Sequence, residues 1–114
     1  MKTKQLLMVI KNHFSVTNYW LEKFFNIGHS LFFRYMHNGS EARFSDVNEW
    51  LNKLNLCLID NKLFFKTNLT KSLDSYPKWM LQTKLNSILD HLEWQSYGEK
   101  EEKENPHIIF WPEK

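Results

Sequence analysis

Between Pro77 and Trp94 the chain reads PKWMLQTKLNSILDHLEW, and the spacing of its apolar residues limits the fold more than any other feature. Leu81, Leu85, Ile88 and Leu92 recur every three or four residues, which puts them on one face of an α-helix. Met80 and Leu89 support that stripe, and Pro77 suits a first helical turn, where its missing N–H costs nothing. Lys78, Gln82 and Asn86, with Thr83, Lys84 and Ser87 nearby, form the opposite flank. The spacing therefore predicts a helix with leucines against the interior and an amide-and-lysine flank in solvent.

The same reasoning places elements upstream. A first helix is predicted over about Lys4 to His13, with Thr3 as its cap and Leu6, Leu7, Ile10 and Phe14 on one side. Ser15, Thr17 and Asn18 offer cap chemistry for a second, longer helix through YWLEKFFNIGHSLFFRYMHNG. Leu21, Phe25, Phe32 and Met36 form one apolar stripe there, and Trp20, Phe24, Ile27, Leu31 and Tyr35 a second beside it. Two adjacent stripes require cover around much of the helix. Gly28 either lets a neighbour approach closely or divides this helix in two. Asn38-Gly39 supplies a stop, because glycine tolerates the left-handed conformation. In FSDVNEWLNKLN, Ser45 is the predicted cap, and Val47, Trp50, Leu51 and Leu54 share a face.

LCLIDNKLFF holds two short apolar runs around Asp60-Asn61, the turn chemistry of a β-hairpin. Thr67 to Tyr76 is polar and reads as turn. Beyond the Pro77 helix, Trp94 to Tyr97 and His107 to Trp111 pair across GEKEEKENP, with Pro106 and Pro112 bracketing the second strand. The expected fold is α+β and mostly helical, with about four helices and two β-hairpins in one domain over residues 1–114.

With 42% hydrophobic and 25% charged residues, and only three Gly and three Pro, the chain has the composition of a folded protein. At 114 residues its core needs neither disulfide nor metal. Cys57 is the sole cysteine, and a thiol buried at a strand position suits a reducing compartment. The apolar run Leu6 to Ile10 is too short for a signal-peptide core or a membrane span. A cytoplasmic protein is therefore expected, with the sequons at Asn38 and Asn68 as chance matches. Residues 1–70 carry nine Lys/Arg against five Asp/Glu, and residues 71–114 carry six against eight. A nucleic-acid footprint is thus easier to place on the first part.

From Lys78 to Trp111, the helix followed by WQSYGEKEEKENPHIIFW resembles the winged-helix superfamily of DNA-binding domains. The resemblance covers the last third of the chain and implies a winged-helix-like fold, with a recognition helix in the major groove and the hairpin as wing. By position it assigns groove contacts to Lys78, Gln82, Thr83 and Asn86, since amides pair with adenine and lysine with guanine or phosphate. Lys84, Lys53, Lys62 and Lys66 would help hold the duplex. One departure is the loop itself, where Glu99, Glu101, Glu102 and Glu104 face only Lys100 and Lys103. Phosphate would repel it, so the loop turns away or the domain binds protein.

Catalytic patterns are missing. The five histidines, His13, His29, His37, His91 and His107, have no partner at a compact metal-ligand spacing. There is no glycine-rich phosphate loop, and Cys57 has no evident base beside it. Neither an enzyme, a cofactor nor a small-molecule substrate is expected.

Two functions remain. The first is a small winged-helix-like DNA-binding protein in transcription control or replication. The second is a protein-interaction module, such as an accessory subunit, an inhibitor or an immunity-type protein, acting as a homodimer or with a larger partner. Eighteen aromatics exceed what a small core needs, and aromatics favour interfaces. The candidate docking residues are Trp20, Phe33, Arg34, Tyr35, Trp79 and Trp111; Phe33, Arg34 and Tyr35 also resemble a stacking platform for single-stranded nucleic acid. The Lys/Asn/Phe-rich composition suggests a phage or mobile-element origin.

Overall fold

The computed structural model describes residues 1–91. Four helices come first: α1 (Thr3–Phe14), α2 (Asn18–Phe25), α3 (His29–His37) and α4 (Phe44–Lys53). Strands β1 (Leu56–Ile59), β2 (Lys62–Phe65) and β3 (Asn68–Ser72) follow, then a 3-10 turn (Leu73–Ser75) and α5 (Lys78–His91). The fold is α+β and mostly helical, with five helices and a three-stranded antiparallel sheet in the order β1-β2-β3 among the described residues. The second hairpin expected from the sequence lies outside the described residues, as does Leu92.

Two helix ends set the chain path. After α1, Ser15 adopts φ 57° and the N–H of Val16 bonds back to Lys11 at 3.1 Å. After α2, Asn26 adopts φ 58° and the N–H of Ile27 bonds back to Glu22 at 2.8 Å. Each is a left-handed residue followed by a buried apolar one, the closure that ties off a helix and anchors the next segment. The long helix expected from Tyr19 onward is thus two helices, and Asn26, not Gly28, makes the break. Gly28 precedes α3 at an ordinary φ of −65°, and nothing lies within 4 Å of where a Cβ would stand. A side-chain cap begins α2, where the Thr17 hydroxyl accepts from the Trp20 N–H at 3.0 Å.

Two predicted caps are corrected. Thr3 is the first residue of α1, with Lys2 at the cap position, and its N–H and hydroxyl both donate to Glu41. Ser45 lies inside α4; the carbonyl of Arg43 accepts from the N–H groups of Asp46 and Val47 instead. Pro77 sits just before α5, its carbonyl accepting from the N–H of Leu81 at 3.2 Å.

The β1–β2 hairpin turns through Asp60 and Asn61, both at positive φ, which matches the right-handed twist of the strands. Its register pairs Leu56 with Phe65, Cys57 with Phe64 and Leu58 with Leu63. Because side chains alternate, Leu56, Leu58, Leu63 and Phe65 share the inward face, while Cys57, Ile59, Lys62 and Phe64 face away. Cys57 is therefore half-buried on the outer face and not a core thiol. The polar run read as turn contains β3, which pairs Asn68 with Phe65 and Ser72 with Phe64 across an irregular register. Its one large apolar residue, Leu69, is exposed, so no alternation marks it in the sequence.

The core joins α1, α5, α3 and the inward face of the sheet, with Phe14 meeting Phe65 edge-on at 6.4 Å. Leu81, Leu85 and Leu89 are the buried stripe of α5, and Ile88 is only partly covered. Much of the aromatic surplus is structural. Phe25 of α2 stacks on Trp50 of α4 at 5.4 Å, and Tyr35 of α3 meets Trp50 at 5.9 Å. These rings cover the two stripes around α2 and α3.

Candidate nucleic-acid interface

Between Lys62 and Lys84 the chain carries Lys62, Lys66, Lys71, Lys78 and Lys84, with Asp74 as the single carboxylate; Asp90 follows, exposed, in the last turn of α5. Asp74 is engaged elsewhere, 2.7 Å from Nε2 of His13 at the end of α1. Among the described residues none of these five lysines forms an ion pair. Five lysines against one carboxylate give residues 62–84 a formal charge of +4.

Each lysine is placed by its element. Lys62 opens β2 on the outer face of the sheet and is exposed. Lys66 follows β2, and its amine donates to Oδ1 of Asn52 on α4. Lys71, on β3, brings its amine to 5.9 Å from the ring centre of Tyr76. Lys84, half-buried on α5, reaches the same ring at 5.6 Å and the ring of Phe65 at 5.1 Å. Tyr76 is itself fixed, edge-on to Phe65 at 5.7 Å, with its oxygen accepting from Nδ2 of Asn68 at 3.2 Å. Lys78 is exposed in the first turn of α5, beside Trp79, which is 65% exposed.

The flank of α5 divides. Asn86 and Ser87 are exposed and Gln82 is half-exposed, so their polar groups reach solvent. Thr83 is exposed, but its hydroxyl donates to the Trp79 carbonyl at 3.0 Å, which commits its proton to the helix backbone. Lys53 does not belong to this surface. Its amine donates to the carbonyl of Phe24 at 2.8 Å, at the C-terminal end of α2, where a cation complements the helix dipole.

The proposed docking residues also separate. Trp20 and Tyr35 are 1% and 4% exposed and belong to the core. Burial pushes the Tyr35 phenol above its ordinary value; Asp46 raises it further, and Arg34 and Arg43 oppose. Phe33 is half-exposed against the His37 ring at 4.4 Å, with Arg34 exposed beside it. The Phe33–Arg34–Tyr35 platform thus lacks its third member. Trp111 and the acidic loop lie outside the described residues, as does the hairpin that carried the winged-helix resemblance.

Sequence reasoning passed over Lys71 and Tyr76. A count of charge along 62–84 would have flagged Lys71, but its meeting with Lys84 on one ring is a tertiary result. Among the described residues no three His, Cys, Asp or Glu side chains gather as a metal site, and no helix is long and apolar enough to cross a membrane. Compared with protein-family models, curated proteins and solved structures, the chain matches none.

Proposed function

We propose that this chain is a small, non-catalytic, winged-helix-like DNA-binding protein acting in transcription control or replication. The observation that carries the reading is the lysine-rich stretch 62–84, with five lysines against one carboxylate, running into the solvent-facing amides of α5. Phosphate contacts supply most of the affinity for a duplex, and exposed amides on a helix can read base edges. Of the residues that carry the family resemblance, the described part is α5 (Lys78–His91).

The test is retention of a duplex of about 20 base pairs over a salt series. If Lys62, Lys66, Lys71 and Lys78 each neutralise one phosphate, log affinity falls with log salt at a slope of about −3.6. A flat response, or no retention at low salt, overturns the reading.

A second reading, docking of a protein partner, is favoured by Phe44, which is 79% exposed beside an open groove of about 540 Å³. Val47, Leu51, Leu56 and Leu58 contribute apolar wall to that groove. A concentration-dependent mass that Phe44→Asp abolishes would support it.

A further inference from the structure

We propose that Lys71, Lys84 and Tyr76 form a binding site for a phosphate group, supplied by the nucleic-acid backbone. The proposal rests on the DNA-binding reading for the source of the phosphate, and on its own geometry for the site.

Two amines lie within 6 Å of one ring centre, at 5.9 Å for Lys71 and 5.6 Å for Lys84. Neither has a carboxylate partner among the described residues. The one acid in that part of the chain, Asp74, is held by His13. Ring faces attract ammonium groups, and the Tyr76 and Phe65 rings explain where the two side chains rest. They do not cancel charge. Two like charges drawn to one ring repel each other, and an anion that accepts hydrogen bonds from these ammonium groups offsets that repulsion.

The donor set suits a tetrahedral oxyanion. Each ammonium offers up to three protons. Tyr76 accepts from Asn68 at its oxygen, which leaves its own O–H to donate. Asn68 is oriented in turn, because its Oδ1 accepts from the N–H of Thr70 at 3.1 Å and the hydroxyl of Thr70 at 2.5 Å. The Tyr76 ring is thus held from the sheet side before any ligand arrives. Lys66 before β3 and Lys78 after the 3-10 turn flank the site along the chain, which suits a partner with repeating negative charge better than an isolated anion.

The test uses the full chain in two arms. In the first, inorganic phosphate is titrated against chloride at constant ionic strength while backbone amide resonances are recorded. Shifts centred on residues 68–76 and on Lys84, lost in Lys71→Gln, are expected. In the second, the salt slope for duplex DNA is compared among wild type, Lys71→Gln and the control Lys4→Gln on α1. Lys71→Gln should reduce the slope by about 0.9, one phosphate contact, and Lys4→Gln should leave it unchanged. Lys71 is exposed, so its substitution spares the fold; Lys84→Gln tests the second amine, with Lys84→Arg restoring charge should packing suffer.

Phosphate shifts together with the loss of slope support the proposal. Phosphate shifts with an unchanged slope, or without DNA retention, overturn the nucleic-acid source and leave a site for free phosphate compounds. Retention of DNA by wild type, with no phosphate shifts and an unchanged slope in Lys71→Gln, overturns the site while the DNA-binding reading stands. Loss of both signals in wild type overturns both.

Discussion

Glu41 holds the first residue of α1 by two hydrogen bonds, accepting from the Thr3 N–H at 3.0 Å and from the Thr3 hydroxyl at 2.9 Å. The Thr3 oxygen accepts in turn from the N–H of Ala42 at 2.9 Å. The start of α1 is therefore capped by a residue 38 positions away, which fastens the α3–α4 connection to the N-terminal end of α1.

Those bonds favour the carboxylate, so the Glu41 pKa lies below its ordinary 4.5, chiefly through the Thr3 backbone and then the Thr3 hydroxyl. A carboxyl lowered in the folded state adds stability above its unfolded value and loses it as pH falls through the folded one. Glu41→Gln should therefore lower Tm at pH 7 and flatten the loss of stability below about pH 4.5. Denaturant melts of both proteins from pH 3 to pH 7 measure this, and parallel acid limbs would refute it.

Thr3→Val keeps the side-chain volume of a residue that is 3% exposed but deletes a hydroxyl that both donates and accepts. Leaving the Ala42 N–H without its partner should cost about 1–2 kcal/mol. Urea unfolding at pH 7 gives the value, with an unchanged midpoint as the contrary result.

Lys53 separates structural from binding lysines. Lys53→Met keeps the apolar stem and removes the bond to the Phe24 carbonyl, at an expected cost of about 1 kcal/mol. The salt slope for DNA should stay at its wild-type value. A reduced slope with an unchanged Tm would place this lysine on the interface after all.

Asn26 and Gly28 should respond in opposite ways to a bulkier side chain. Asn26→Val forces a β-branched residue to a φ of 58° and should destabilise by about 1–2 kcal/mol. Gly28→Ala meets open space at an ordinary φ and should cost less. Equal losses would mean that the break depends on the glycine.

Trp50 and Trp79 differ by position. Trp50→Ala empties a site that is 4% exposed and stacked on Phe25, and should cost about 3–5 kcal/mol. Trp79→Ala, at a side chain 65% exposed, should stay within about 0.5 kcal/mol. Thermal melts of the two variants check the contrast, and a large loss for Trp79→Ala would show hidden packing at the start of α5.

Local chemistry made several elements legible in the sequence by itself. The leucine spacing of α5, the Val47, Trp50, Leu51 and Leu54 face, the Asp60-Asn61 turn and the stop at Asn38-Gly39 each depend on residues within a turn or two of one another. Their periodicity and backbone preferences act before any distant contact forms. Gln82 and Asn86 were placed toward solvent by the same helical arithmetic. What only the tertiary structure decided are relations between residues far apart in the chain. β3 exists because β2 offers it a hydrogen-bonding edge, although NLTKS has no strand pattern of its own. Thr3 gives up its predicted cap role because Glu41 arrives beside it, and the Lys53 amine is committed to the Phe24 carbonyl because the end of α2 lies within reach. Lys71 and Lys84 share one tyrosine ring for the same reason. A pattern along the chain records what each segment prefers, whereas charge, burial and hydrogen-bond partners at a site depend on which segments the common core brings together.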